Sequence, residues 1–174
     1  MKAALRSLTV VLVAAAAFMS TSAASAKPAS TSFEIVGYEY GFTSTVGAFA
    51  GRAKGNARDS GLWNAVVKHD RLGSTSAYVN GGSFEIGVKT ASGGVDAIMG
   101  TFVHHGGRIT TVDAGTDCGK QRYRVTAKLE NVRTPSSSHG SGALTVKLTH
   151  YRARILGHCV AYKARVTGSV TFAY

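Results

Sequence analysis

The chain has 174 residues, with 20 Lys and Arg against 9 Asp and Glu, for a formal charge of +11. That length suits one ordinary domain with a real core rather than a multidomain assembly. Two cysteines allow one intramolecular pairing, which excludes a multi-bridge disulfide framework.

The N-terminus reads Met1-Lys2-Ala3-Ala4-Leu5-Arg6, then an apolar stretch from Leu8 to Met19, then Ala24-Ser25-Ala26. Cations, a short apolar core and an Ala-x-Ala site predict a cleaved secretory signal peptide over 1–26. The apolar stretch is about twelve residues, short of the roughly twenty a membrane-spanning helix needs, so no stable membrane anchor is expected. No Cys follows the site to take a lipid. The expected mature domain is 27–174, and because the leader holds Lys2 and Arg6 and no acid, its charge is +9. Such a cationic excess favours anionic surfaces and polymers, and supports nucleic acid no further than charge alone does. In a secreted, oxidised protein Cys118 and Cys159 are expected to form a structural disulfide, adding about 4 kcal/mol in the chain-entropy model. They lack the Cys-x-x-Cys spacing of a metal or redox pair.

Past a loose entry at Pro28–Ser32, the residues Phe33, Ile35, Val36, Tyr38, Tyr40 and Phe42 alternate with one slip between Ile35 and Val36. Leu62–His69 and Ser76–Val79 read as short strands. The double glycines Gly81-Gly82, Gly93-Gly94 and Gly106-Gly107 recur at turn spacing and bracket strands at Phe84–Thr90 and Val95–His104. From Gln121, Tyr123, Val125, Ala127 and Leu129 alternate with Arg122, Arg124, Thr126 and Lys128, a half-buried strand. Thr134–Gly142, with Pro135 and three serines, reads as a long flexible loop. Leu144, Val146 and Leu148 continue the period, but Tyr151, Ala153 and Ile155 take the other parity, so a bulge is expected near Thr149-His150. From Val160 the even residues Tyr162, Ala164, Val166, Val170 and Phe172 form an apolar row opposed by Lys163, Arg165 and Thr167. No stretch carries a helical period. The expected fold is all-β, a single antiparallel β-barrel or strongly curled sandwich of about seven to ten strands.

Chemistry-bearing patterns are sparse. His104 and His105 are adjacent, and in a regular strand they would point to opposite faces. His69, His150 and His158 have no ligand spacing, so neither metal nor cofactor is expected. No Ser sits in a Gly-x-Ser-x-Gly turn. Glu34 and Glu39 have opposite parity, and Asp113 and Asp117 lack the further ligands of a calcium loop. The cationic set is richer. Arg122, Arg124, Lys128, Lys163 and Arg165 lie on the polar sides of two strands, Arg152 and Arg154 on a third, and adjacent strands would merge them into one basic face.

The tail from Leu148 to Phe172, with Leu-Thr-His-Tyr-Arg, Gly-His-Cys-Val-Ala-Tyr and Val-Thr-Gly-Ser-Val-Thr-Phe, resembles the ending of small secreted bacterial β-proteins of unassigned function. The resemblance covers the last third and implies a β-fold without a catalytic assignment. In style the fold is also similar to allene-oxide-cyclase and dirigent barrels, although the Gly-Gly-Thr-Gly stretch associated with dirigent proteins is missing.

These features order the expectations. First stands a secreted, non-catalytic module that binds an anionic envelope polymer or similar partner through its basic face. Second is a barrel that binds or transforms a lipophilic small molecule, marked by an internal cavity reached by a polar group such as His69, His150 or Glu85. Third is a secreted protein inhibitor presenting loop 134–142. A lipid-embedded barrel is a further reading of the C-terminal alternation, with lipid against the apolar parity and Lys163 and Arg165 in the lumen.

Overall fold

A computed structural model of the protein describes residues 30–55, 60–73, 75–89, 93–135 and 137–174; the expected leader lies outside them. The described chain forms eight strands and no helix: β1 (Ser30–Phe42), β2 (Val46–Lys54), β3 (Ser60–His69), β4 (Ser76–Lys89), β5 (Val95–Asp113), β6 (Gln121–Thr134), β7 (Ser137–Ile155) and β8 (His158–Ala173). Each strand pairs antiparallel with its sequence neighbour, and β8 returns to β1 to close a barrel. Closure removes the free edges that an open sheet of this length would expose, and it decides between barrel and sandwich.

The period-two rows set the sidedness. Tyr123, Val125, Ala127 and Leu129 of β6 face inward with Leu144, Val146 and Leu148 of β7 and Val166, Val170 and Phe172 of β8. Their basic neighbours face water. This is the reverse of a lipid-embedded barrel, whose apolar residues point outward. The strands are also longer than the sequence suggests, the shortest running nine residues.

Several local expectations are corrected, most of them by bulges. Gly81-Gly82 and Gly106-Gly107 lie inside β4 and β5, where the register shifts between Val79 and Ser83 and between Phe102 and Gly107. Gly81 and Gly82 have φ of 142° and 118°, so they kink one long strand where a turn was expected. In the same region His105 has φ 55°, and its ring stacks on His104 with centroids 4.0 Å apart, not on opposite faces. The long loop expected over Thr134–Gly142 is not found: β6 runs to Thr134 and β7 begins at Ser137, with Thr134 opposite Ser137. The slip expected at Thr149-His150 falls on β8: Tyr151 pairs with Lys163 and Arg152 with Ala161, so Tyr162 is the extra residue. Tyr162, expected in the core, is therefore exposed. In β1 the shift falls between Glu39 and Gly41, not at Ile35-Val36.

Along its axis the barrel divides into a packed half and an open half. Near the strand ends at Ser30 and Ala173, Phe84 touches Phe102 and Phe172 at centroid distances of 6.4 and 6.1 Å, and Phe33 meets Phe172 at 6.2 Å. Leu129, Val132 and Val170 fill the space around these rings. The opposite end gathers the β1–β2, β3–β4, β5–β6 and β7–β8 connections and leaves a hollow. Cys118 in the β5–β6 connection is bonded to Cys159 in β8, Cα–Cα 5.2 Å, and so clamps the rim across β7.

Candidate functional site

The hollow follows from which inward residues are small. Continuing the inward parity of Phe33 and Ile35 along β1 gives Gly37, then Glu39. Register aligns Gly37 with Gly51 of β2 and Gly51 with Trp63 of β3. A Cβ at Gly37 would overlap Ala50 O and the Trp63 ring. The two glycines therefore let the indole lie against the wall, where Nε1 donates to Val36 O at 3.3 Å and the ring stacks on Phe84. Above this floor no side chain fills the axis. A cavity of about 190 Å³ remains, walled by residues such as Ile35, Ala65, Val125, Val146, Leu148 and Val166.

One corner of the cavity is polar. His150 Nε2 and Glu39 Oε2 are 2.8 Å apart, with side chains 18% and 5% exposed. An ionised carboxylate only accepts, so the shared proton belongs to Nε2. The neutral imidazole then presents Nδ1 as an acceptor, and the imidazolium presents it as a donor. Phe42 and Tyr123 flank the imidazole at 6.2 and 5.4 Å, which limits its rotation. His69 also borders the cavity, its Nδ1 2.7 Å from Asp70 O. Two of the three polar groups named as markers of an internal site thus reach it. Glu85 does not: it faces outward beside Asn64.

The Tyr123 hydroxyl is held above the usual tyrosine range by burial; Arg152 pulls it down and Glu39 raises it. It remains a neutral donor throughout the physiological range. A raised folded value means the contribution to stability is intact below pH 10 and is lost as pH rises through the folded value. Wild type should therefore lose stability above pH 10 more steeply than Tyr123→Phe. Urea midpoints measured from pH 8 to 11 check this, and parallel curves would contradict it.

The predicted basic residues do not all join one face. Arg122, Arg124, Lys128, Lys163 and Arg165 are exposed on the outer wall, as their parity implies. Arg122 is tied to Asp113 at 2.9 Å. Arg152 turns to the rim, donating through Nε to Gly119 O and through Nη2 to Ala114 O, both at 3.0 Å, and so braces the disulfide loop. Arg154 reaches Gly157 O in the β7–β8 turn. Asp113 also accepts from Gly115 N, which gives that carboxylate a structural role. Among the described residues no group of three or more His, Cys, Asp or Glu is placed to hold a metal ion. Sequence reasoning missed Glu39, Tyr123 and Trp63 as cavity residues; the slip expected at Ile35-Val36 put Glu39 on the outer parity, whereas the shift falls after it. Comparison of the chain with protein-family models, curated proteins and solved structures finds no match in any of the three, so the site rests on its own geometry.

Proposed function

We propose that the protein is a secreted carrier or receptor for a small lipophilic molecule bearing one polar group, held in the open half of the barrel. The observation that carries this reading is the apolar cavity with the hydrogen-bonded Glu39–His150 pair at its edge. An apolar cavity of about 150 Å³ stays dry and takes benzene, so about 190 Å³ suits one ring with a short substituent. The wall supplies burial, and His150 Nδ1 with the Tyr123 hydroxyl supplies orientation, the usual division of labour in small-molecule sites. The disulfide and the leader-like N-terminus support an oxidising, extracellular setting.

Calorimetry with toluene and benzyl alcohol tests the reading. Both should bind with dissociation constants on the order of 0.1–1 mM, reasonable for ligands of seven or eight heavy atoms. Ala65→Leu, which fills the cavity, should weaken both by about tenfold or more. Glu39→Gln should weaken benzyl alcohol more than toluene, because it disturbs the imidazole that meets the hydroxyl. Failure of both probes to bind, or binding unaffected by Ala65→Leu, would remove the cavity as the site.

A further inference from the structure

The outer wall carries a second arrangement, independent of the cavity. Register across β1, β8, β7 and β6 aligns Tyr38, Arg165, Thr149 and Arg122 in one row and Val36, Thr167, Lys147 and Arg124 in the next. Arg124 therefore stands directly opposite Lys147, both exposed. Like charges directly opposed across a ladder weaken a sheet, and folding gains nothing from this pair. Asp113 pairs with Arg122 as its one cation, and Arg124, Lys147 and Arg165 have no acidic partner among the described residues.

Aromatic rings interleave with these cations. Tyr151 lies opposite Lys163, and the Lys163 and Lys120 ammonium groups sit 5.7 and 5.3 Å from its ring centroid. Tyr38, Tyr40 and Tyr162 are 56%, 60% and 64% exposed, and Tyr40, Tyr162 and Lys163 border a common depression. The bulge at Tyr162 creates this feature by turning an expected core ring to water. Thr149 lies between Arg165 and Arg122 in the first row, and Thr167 lies between Val36 and Lys147 in the second.

We propose that this face binds a linear anionic glycan, a polymer of sugar rings bearing carboxylates or phosphates. The unpaired cations meet the acidic groups, exposed tyrosines stack on the sugar rings, and threonine hydroxyls exchange hydrogen bonds with the sugar hydroxyls. Single-stranded nucleic acid would use the same cations and rings. The hydroxyl-lined rows favour the hydroxyl-rich polymer.

The test compares oligomeric polygalacturonate, a neutral glucan of similar length and an oligodeoxythymidine, each titrated at low and at physiological ionic strength. Polygalacturonate should bind most tightly, with salt-sensitive affinity, and the neutral glucan should not bind. Arg124→Glu gives Lys147 a partner, so its melting temperature should stay level or rise while polygalacturonate affinity falls about tenfold. Tyr38→Ala combined with Tyr162→Ala should also lower affinity about tenfold, with the salt slope unchanged. Ala65→Leu should leave polymer binding intact. Tighter binding of oligodeoxythymidine would reassign the face to nucleic acid and overturn the proposal. Absence of polygalacturonate binding, or binding indifferent to the tyrosines, would overturn it as well.

Discussion

Phe84→Ala is expected to destabilise the barrel by about 3–5 kcal/mol, the range for truncating a fully buried aromatic residue. The ring is 1% exposed and touches Trp63, Phe102 and Phe172, so it links the packed half to the floor of the cavity. Its loss removes burial and also leaves a void, because the closed ladder of eight strands resists collapse. For a domain of this size each kcal/mol is worth about 2–4 °C, so melting should fall by about 6–20 °C. Phe42→Ala, at the exposed rim, should cost far less. Denaturant unfolding of both variants checks the contrast, and similar losses would mean that the Phe84 cluster is not the keystone of the packed half.

Removing the disulfide, as Cys118→Ser with Cys159→Ser, should cost about 4 kcal/mol in the chain-entropy model for a sequence separation of 41. The damage should concentrate at the open end. The β5–β6 connection would then be held mainly by Arg152, whose guanidinium bridges Gly119 O and Ala114 O. Hydrogen exchange should accelerate around residues 114–120 and in the β7–β8 turn, while the amides near Phe33 and Phe172 keep their protection. Urea unfolding with and without reductant measures the total. A loss under about 1 kcal/mol would show that the bridge scarcely restricts the unfolded chain.

How much of this was legible in the sequence depended on bulges. The late strands were readable because Tyr123, Val125 and Leu129 keep strict period two against Arg122, Arg124 and Lys128, and a one-residue error would have exposed the whole row. The disulfide was readable because only one pairing existed. A bulge leaves no comparable trace: Gly81-Gly82 reads equally as a turn or as a kink inside a strand, and only the ladder distinguishes them. The positions of the β1 and β8 bulges decided the functional picture, since the first keeps Glu39 inside and the second puts Tyr162 outside. The cavity entered the sequence reading only as an alternative, marked by His69 and His150, and its walls were beyond reach for another reason. A void exists where the inward side chains of several strands fall short together, as Ala65, Val125, Val146 and Val166 do above Trp63, and that coincidence is set by register rather than by any one segment.

Trp63 is the protein's single tryptophan, and it lines the cavity, so its fluorescence is a direct test of the proposed ligand site. Titration with toluene, excited on the red edge of the indole band, should give a saturable change in its emission. The same titration of Ala65→Leu should give none. If toluene binds by calorimetry while Trp63 emission stays flat, the ligand lies elsewhere and the barrel interior is not the binding site.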